Sequence, residues 1–267
     1  MCYQRFIPYT KFIAANVVLA FSIVMLSPTA TWAQTEKPAA GKQVEQRLDL
    51  GDGQFIEYLL YLPEKYDGSK PIPFMLFLHG RGESNGPLSL VKKWGPPRLV
   101  DEGKKLPYII ASPQCPEEPH SWSDMRQQVK LVLLIRHLEQ TLKIDKTRMY
   151  LTGLSMGGFG SWTMATHWPE KFAAVAPICG KGNPDEAAKL KEVPIWAWHG
   201  NKDEAVPLKH SKDMVNAIRK ARGRRVRLTV LEEIGHNSWS AAYSTPELYS
   251  WFNRHQKKPA KKPEAEK

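Results

Sequence analysis

Ser155 lies between Gly153 and Gly157 in the stretch YLTGLSMGGFGSW, directly after a short apolar run and directly before a segment that reads as a helix. A strand that turns abruptly into a helix around one residue forces that residue into a strained conformation, and glycines two positions to either side leave room for the tight backbone approach. Such a turn lifts the hydroxyl clear of the sheet. A serine hydroxyl is a poor nucleophile until an imidazole takes its proton, and the imidazole needs a carboxylate to fix its tautomer and stabilise its charged form. Two later loops supply these types: HGNKDEAVP carries Asp203, with Glu204 as its neighbour and rival, and EIGHNSW carries His236. The chemistry implied is attack on an acyl carbon, with His236 as base and Asp203 as the orienting acid. A tetrahedral intermediate also needs donors aimed at its oxyanion. The candidates are the backbone N–H of Met156, just past the serine, and that of Arg81, in the loop after PFMLFLHG.

Positioning these groups requires elements whose ends meet. QVEQRLDL and FIEYLLYLP flank Gly51-Asp52-Gly53 and predict an antiparallel hairpin. After it, the runs PFMLFLHG, YIIASPQ, MYLTGLS, FAAVAPICG, PIWAWHG and VRLTVLEE alternate with helical patterns. Runs apolar on both faces suit a parallel sheet covered on both sides. DMRQQVKLVLLIRHLEQTLK is the clearest helix, with Val129, Leu133, Ile135 and Leu138 among its apolar positions; Met156 to His167, LKHSKDMVNAIRKA and TPELYSWFNRH follow. The expected fold is therefore α/β, a doubly wound and mostly parallel sheet with helices on both faces and an N-terminal antiparallel hairpin. In such sheets working groups collect at the carboxyl ends of strands, and Ser155, Asp203 and His236 each fall in the loop after a different run.

The ends of the chain read differently from its middle. Arg5 and Lys11 precede the apolar run Phe12 to Leu26, and small residues follow to Ala33, a layout that predicts a secretory signal over residues 1–33 with cleavage near Ala33. The run is shorter than the roughly 20 residues of a spanning helix and contains Asn16, so no stable membrane anchor is expected after cleavage, and the compartment is extracellular or periplasmic. Residues 34–41 read as a linker, 42–256 as one catalytic domain and 257–267 as a disordered basic tail. The formal charge of +11 comes partly from that tail and from RKARGRRVR. No aromatic platform is interleaved with the basic cluster, so nucleic acid is not expected as a partner. Cys115 and Cys179 remain after signal removal, either bridged or as separate buried thiols, and no His or Cys lies at metal-ligand spacing from either.

Taken together, FLHGRGE, ASPQCP, GLSMGGFGSW, PICG, HGNKDEAVP and GHNSW make the chain resemble the α/β-hydrolases, over roughly residues 43–252. Within them it is similar to exported esterases grouped with predicted peptidases and with feruloyl and polyhydroxyalkanoate depolymerase-like esterases. The resemblance implies the α/β-hydrolase fold and a serine carboxylic ester hydrolase working through an acyl-enzyme, with no metal and no organic cofactor. Asp203, rather than Glu204, matches the family pattern H-G-x-x-D-x-x-V-P, which runs here from His199 to Pro207. His79 and His199, each ending a strand before glycine, are expected to hold loop backbone.

Substrate is less legible. Of nine tryptophans, Trp122, Trp198 and Trp239 fall at or near strand ends, where they could stack on an aromatic or sugar ring. The expected substrate is an acyl or feruloyl ester, small or attached to polysaccharide. A serine peptidase or polyester depolymerase would use the same three residues, because leaving-group preference lives in pocket shape. A non-catalytic binding module would not require all three to be present.

Overall fold

The computed structural model describes residues 32–33, 38–116 and 119–257. Residues 1–31 of the expected secretory signal and 258–267 of the expected basic tail lie outside the described residues; Trp32 and Ala33, at the end of the expected signal, are described. Among the described residues nine strands form one sheet: β1 Trp32–Ala33, β2 Gln43–Gly51, β3 Gln54–Tyr61, β4 Ile72–Leu78, β5 Ile109–Pro113, β6 Ile144–Leu154, β7 Ala174–Ile178, β8 Ile195–Gly200 and β9 Val226–Leu231. Their spatial order is β1-β2-β3-β5-β4-β6-β7-β8-β9. The first four pair antiparallel in that order, and the six from β5 to β9 are parallel.

Side-chain alternation explains how both faces are buried. Phe74, Leu76 and Leu78 of β4 pack into one apolar cluster, whereas Met75 and Phe77 pack into the other. The first cluster is covered by α2 Met125–Thr141, α3 Met156–His167 and α4 Lys209–Lys220. The second is covered by α1 Gly95–Asp101, α5 Trp239–Ser244 and α6 Pro246–Asn253. This is the doubly wound arrangement the alternating runs predict. Cys115 belongs to the first cluster and Cys179 to the second, and both thiols are free. The sheet lies between them, which rules out the bridge that the sequence left open.

Three local expectations need correction. On α2, Ile135 and Leu138 are buried but Val129 and Leu133 are exposed, because Gln128 turns inward to donate to the carbonyls of Trp122 and Gly160 and so fixes which face packs. Lys257, assigned to the tail, is tied down instead: its amide donates to Thr147 O at 2.9 Å and its ammonium to Glu170 O and Lys171 O. Gly41, at the end of the expected linker, is pinned by its amide to Leu62 O at 2.8 Å. Neither α1 nor α5 was legible, since each is short and lacks a helical apolar period.

The turn from β6 to α3 is a tight junction. Ser155 takes φ 52° and ψ −116°, and its amide donates to Ile178 O at 3.0 Å. The two glycines of the motif are forced by contact rather than by their own dihedrals. A Cβ at Gly157 would collide with the Leu78 carbonyl, and one at Gly153 with the Gly157 carbonyl. Backbones of β4, β6 and α3 therefore touch directly, with no space for a methyl group. Gly157→Ala is expected to cost about 3 kcal/mol or more, the upper end of overpacking a backbone contact. Gly82→Ala, where a Cβ meets nothing within 4 Å, should change stability by less than about 0.5 kcal/mol. Urea unfolding midpoints of the two variants check the difference.

Candidate active site

At the carboxyl edge of the sheet three side chains from three loops form a chain of hydrogen bonds. His236 Nε2 lies 2.9 Å from Ser155 Oγ, and His236 Nδ1 lies 2.8 Å from Asp203 Oδ2. An ionised carboxylate can only accept, so Nδ1 carries the ring proton and Nε2 is free to accept from the serine hydroxyl. The Asp203 side chain is wholly buried and that of His236 is 28% exposed. Burial of the acid is compensated by donors: Ala205 N–H at 3.1 Å and Val206 N–H at 2.8 Å both reach Oδ1. Asp203, and not Glu204, is the carboxylate brought to the imidazole.

Two further histidines stand behind this chain. His79 Nδ1 donates to Gly80 O at 2.5 Å, its Nε2 accepts from Cys115 N–H at 2.9 Å, and its own carbonyl accepts from Trp122 Nε1 at 3.1 Å. It thereby fixes the start of the Gly80–Glu83 loop that carries Arg81. Burial holds its pKa down to about 4, well below the ordinary imidazole value. His199 is likewise buried, between Ser211 Oγ and Val206 O, each at 2.7 Å. Cys179, at φ 40°, brings its sulfur within 4.8 Å of a ligating atom on both Asp203 and His236. Sequence spacing gave no hint of that grouping. Burial pushes its thiol up to about 12, so it is a packed thiol rather than a second nucleophile.

A cleft of about 550 Å³ opens over Ser155 and His236, lined also by Arg81, Met156, Phe159, Trp94 and Trp239. Arg81 and Met156, expected to supply oxyanion donors, thus line the same cleft as the serine. Only one of the three tryptophans singled out for substrate does. Trp239 stands edge-on to the His236 ring, 5.2 Å between centroids. Trp122 is fully buried under the His79 loop, where its N–H supports the backbone. Trp198 is 4% exposed and stacks on Trp196 at 4.7 Å inside the second cluster. Both are corrected to packing residues: alternation along β8 turns Trp198 into the second cluster, and the turn before α2 folds Trp122 into the first. Trp94 and Phe159 were missed. Trp94 sits between a 3-10 turn and α1, away from any strand end, and meets Trp239 edge to face at 5.8 Å. Phe159 follows from the motif once α3 is given helical periodicity, being one turn beyond Ser155, whose carbonyl accepts its amide at 3.0 Å.

The family model Esterase, described as "Putative esterase", matches residues 51–242. The chain belongs to the esterase family. As a member it is a carboxylic ester hydrolase with the α/β-hydrolase fold. This esterase is 26% identical over 202 residues to "Probable feruloyl esterase C" of Aspergillus terreus, covering 72% of each chain. It is 24% identical over 192 residues to "Feruloyl esterase C" of Emericella nidulans, covering 68% of this chain and 67% of that one. Among solved structures it superposes on a "Thermostable Esterase" with TM-score 0.70 and 30% identity, over 80% of this chain but only 63% of the other. A "ferulic acid esterase" matches with TM-score 0.61 over 79% of this chain and 98% of that one; at 20% identity it speaks for the fold alone.

The neutral, buried His79 makes the esterase acid-sensitive. An unfolded histidine takes its proton near pH 6.5, whereas His79 in the fold resists until about pH 4. Between those values the unfolded chain binds the extra proton, so stability falls as pH is lowered from 6.5 and the loss is complete near 4. The loss attributable to this residue is on the order of 3 kcal/mol. Urea midpoints measured from pH 7 to 4 should fall steadily. His79→Asn, which keeps a donor but does not titrate, should flatten part of that slope.

Proposed function

We propose that this esterase cleaves acyl or feruloyl esters, free or attached to polysaccharide, through an acyl-enzyme on Ser155. The observation that carries the proposal is the continuous contact from Ser155 Oγ through the His236 ring to Asp203 Oδ2, at 2.9 and 2.8 Å. His236 Nε2 takes the hydroxyl proton as Ser155 attacks the ester carbonyl, and Asp203 stabilises the imidazolium that results. Backbone N–H groups of Met156, at the first turn of α3, and of Arg81 receive the oxyanion. The imidazolium then protonates the departing alcohol, and water, activated by the same nitrogen, releases the acid and restores the serine. Trp94, Phe159 and Trp239 line the cleft beside the serine, where a flat phenolic ring or a sugar can stack. Relatives named as feruloyl esterases support the aromatic acyl group.

On this proposal the chain is exported, and cleavage near Ala33 removes β1 with the signal and leaves β2 to β9, which carry the site, in one catalytic domain. Among the described residues no helix is long and apolar enough to cross a membrane.

Hydrolysis of a short p-nitrophenyl ester should be lost in Ser155→Ala by at least about 1000-fold, with Asp203→Asn falling by about 10,000-fold, as removal of a member of a cooperating triad does. Unchanged turnover in Ser155→Ala would remove the mechanism. In a panel of methyl ferulate, acetylated xylan and a peptide amide, the ferulate ester should have the highest kcat/KM and the amide the lowest; preference for the amide would overturn the substrate assignment.

A further inference from the structure

His199, next to last in β8, is wholly buried, and its ring is bonded at both nitrogens. Nε2 faces Val206 O at 2.7 Å and Asp203 Oδ2 at 3.2 Å. Both partners only accept, so the ring proton is on Nε2, with Val206 O as its nearer acceptor and Asp203 Oδ2 as a second, longer one. Nδ1 then accepts from the hydroxyl of Ser211, a fully buried side chain 2.7 Å away. The two acceptors at Nε2 thus set the tautomer of His199, and Ser211, whose hydroxyl also lies 3.4 Å from Gly180 O, anchors the ring from its other side. Burial is the largest influence on His199 and pulls its pKa down, opposed by the bond to Val206 O and the charge of Asp203. The ring is accordingly a neutral donor, not a second cation beside the acid.

We propose that His199 is a positioning residue of the triad, which holds Asp203 Oδ2 from the side opposite His236 and keeps its lone pair aimed at Nδ1. The inference rests on the triad assigned above. Oδ1 is held by two backbone amides of its own loop, Ala205 and Val206, whereas Oδ2 lies between two imidazoles. Without His199, Oδ2 keeps a buried lone pair with no donor, and a small rotation of the carboxylate would spread its charge away from the His236 ring as that ring becomes cationic. The effect belongs to the transition state, because only there is the imidazolium formed; ground-state binding of ester in the cleft does not involve either atom. The first histidine of H-G-x-x-D-x-x-V-P is in this way linked to its aspartate by more than loop backbone.

The test compares His199→Leu, His199→Gln and Ser211→Ala on a p-nitrophenyl ester, with Ser155→Ala as the reference for the triad itself. His199→Leu should lower kcat by about 10-fold to 100-fold, the range produced by losing one charge-assisted hydrogen bond in the transition state, at unchanged KM. His199→Gln, whose amide N–H can reach Oδ2, should recover most of that loss. The far-downfield proton resonance of the His236 Nδ1–H should shift in His199→Leu. Wild-type kcat in a folded His199→Leu, or an equal loss in Leu and Gln variants, overturns the proposal while an inactive Ser155→Ala leaves the triad standing. Should the Leu variant fail to fold, Ser211→Ala decides: a lower kcat at unchanged KM supports the role, and a wild-type kcat contradicts it.

Discussion

At one point in the sheet three backbones meet with no side chain between them, and the position of everything reactive follows from that contact. Leu78 at the end of β4, Gly153 on β6 and Gly157 on α3 approach so closely that no Cβ fits at either glycine. Ser155 is left with φ 52°, a conformation that costs about 1–3 kcal/mol for a residue other than glycine. The cost is borne because the amide to Ile178 O, the parallel ladder of β6 and the start of α3 leave the chain no alternative path. A hydroxyl fixed in this way does not search for its partner. It is presented where the two later loops deliver theirs.

Electrostatics at the site depends on keeping one group ionised and several neutral in nearly the same volume. Asp203 is buried yet surrounded by two amides and two ring nitrogens, so its charge is matched by donors. His79 and His199 are the reverse case: burial keeps each uncharged, and each spends both nitrogens on fixed partners. The histidine side chains differ in exposure accordingly. His236, 28% exposed, is the one that reaches the cleft.

The sheet was legible because six apolar runs separated by helical patterns leave few arrangements open, and strand ends then point to the loops that matter. Ser155, Asp203 and His236 could be named from the chain because each follows its own run; their distances could not. Tertiary direction was the part that spacing hides. Trp122 and Trp198 are buried in the two cores while Trp239 reaches the cleft, and the difference lies in the path of each segment: Trp198 is on β8, Trp122 in the turn before α2 and Trp239 at the start of α5. Trp94 escaped notice because it belongs to an irregular segment whose path is set by what packs on it, including Gly95, where a Cβ would collide with the Phe77 ring. The closeness of Cys179 to Asp203 and His236 likewise arises only when neighbouring parallel strands end at one level, whereas that of His199 to Asp203, four residues on, depends on how the loop after β8 turns back.

The central claim is that an acyl group passes through Ser155. Peptide mass mapping after quenching the enzyme at early times with a slowly hydrolysed ester, or after treatment with a fluorophosphonate, tests it most directly. The account requires one adduct per molecule, on the peptide containing Ser155, absent when His236 is replaced by alanine. An adduct on any other residue, or continued turnover by enzyme fully modified at Ser155, would contradict it.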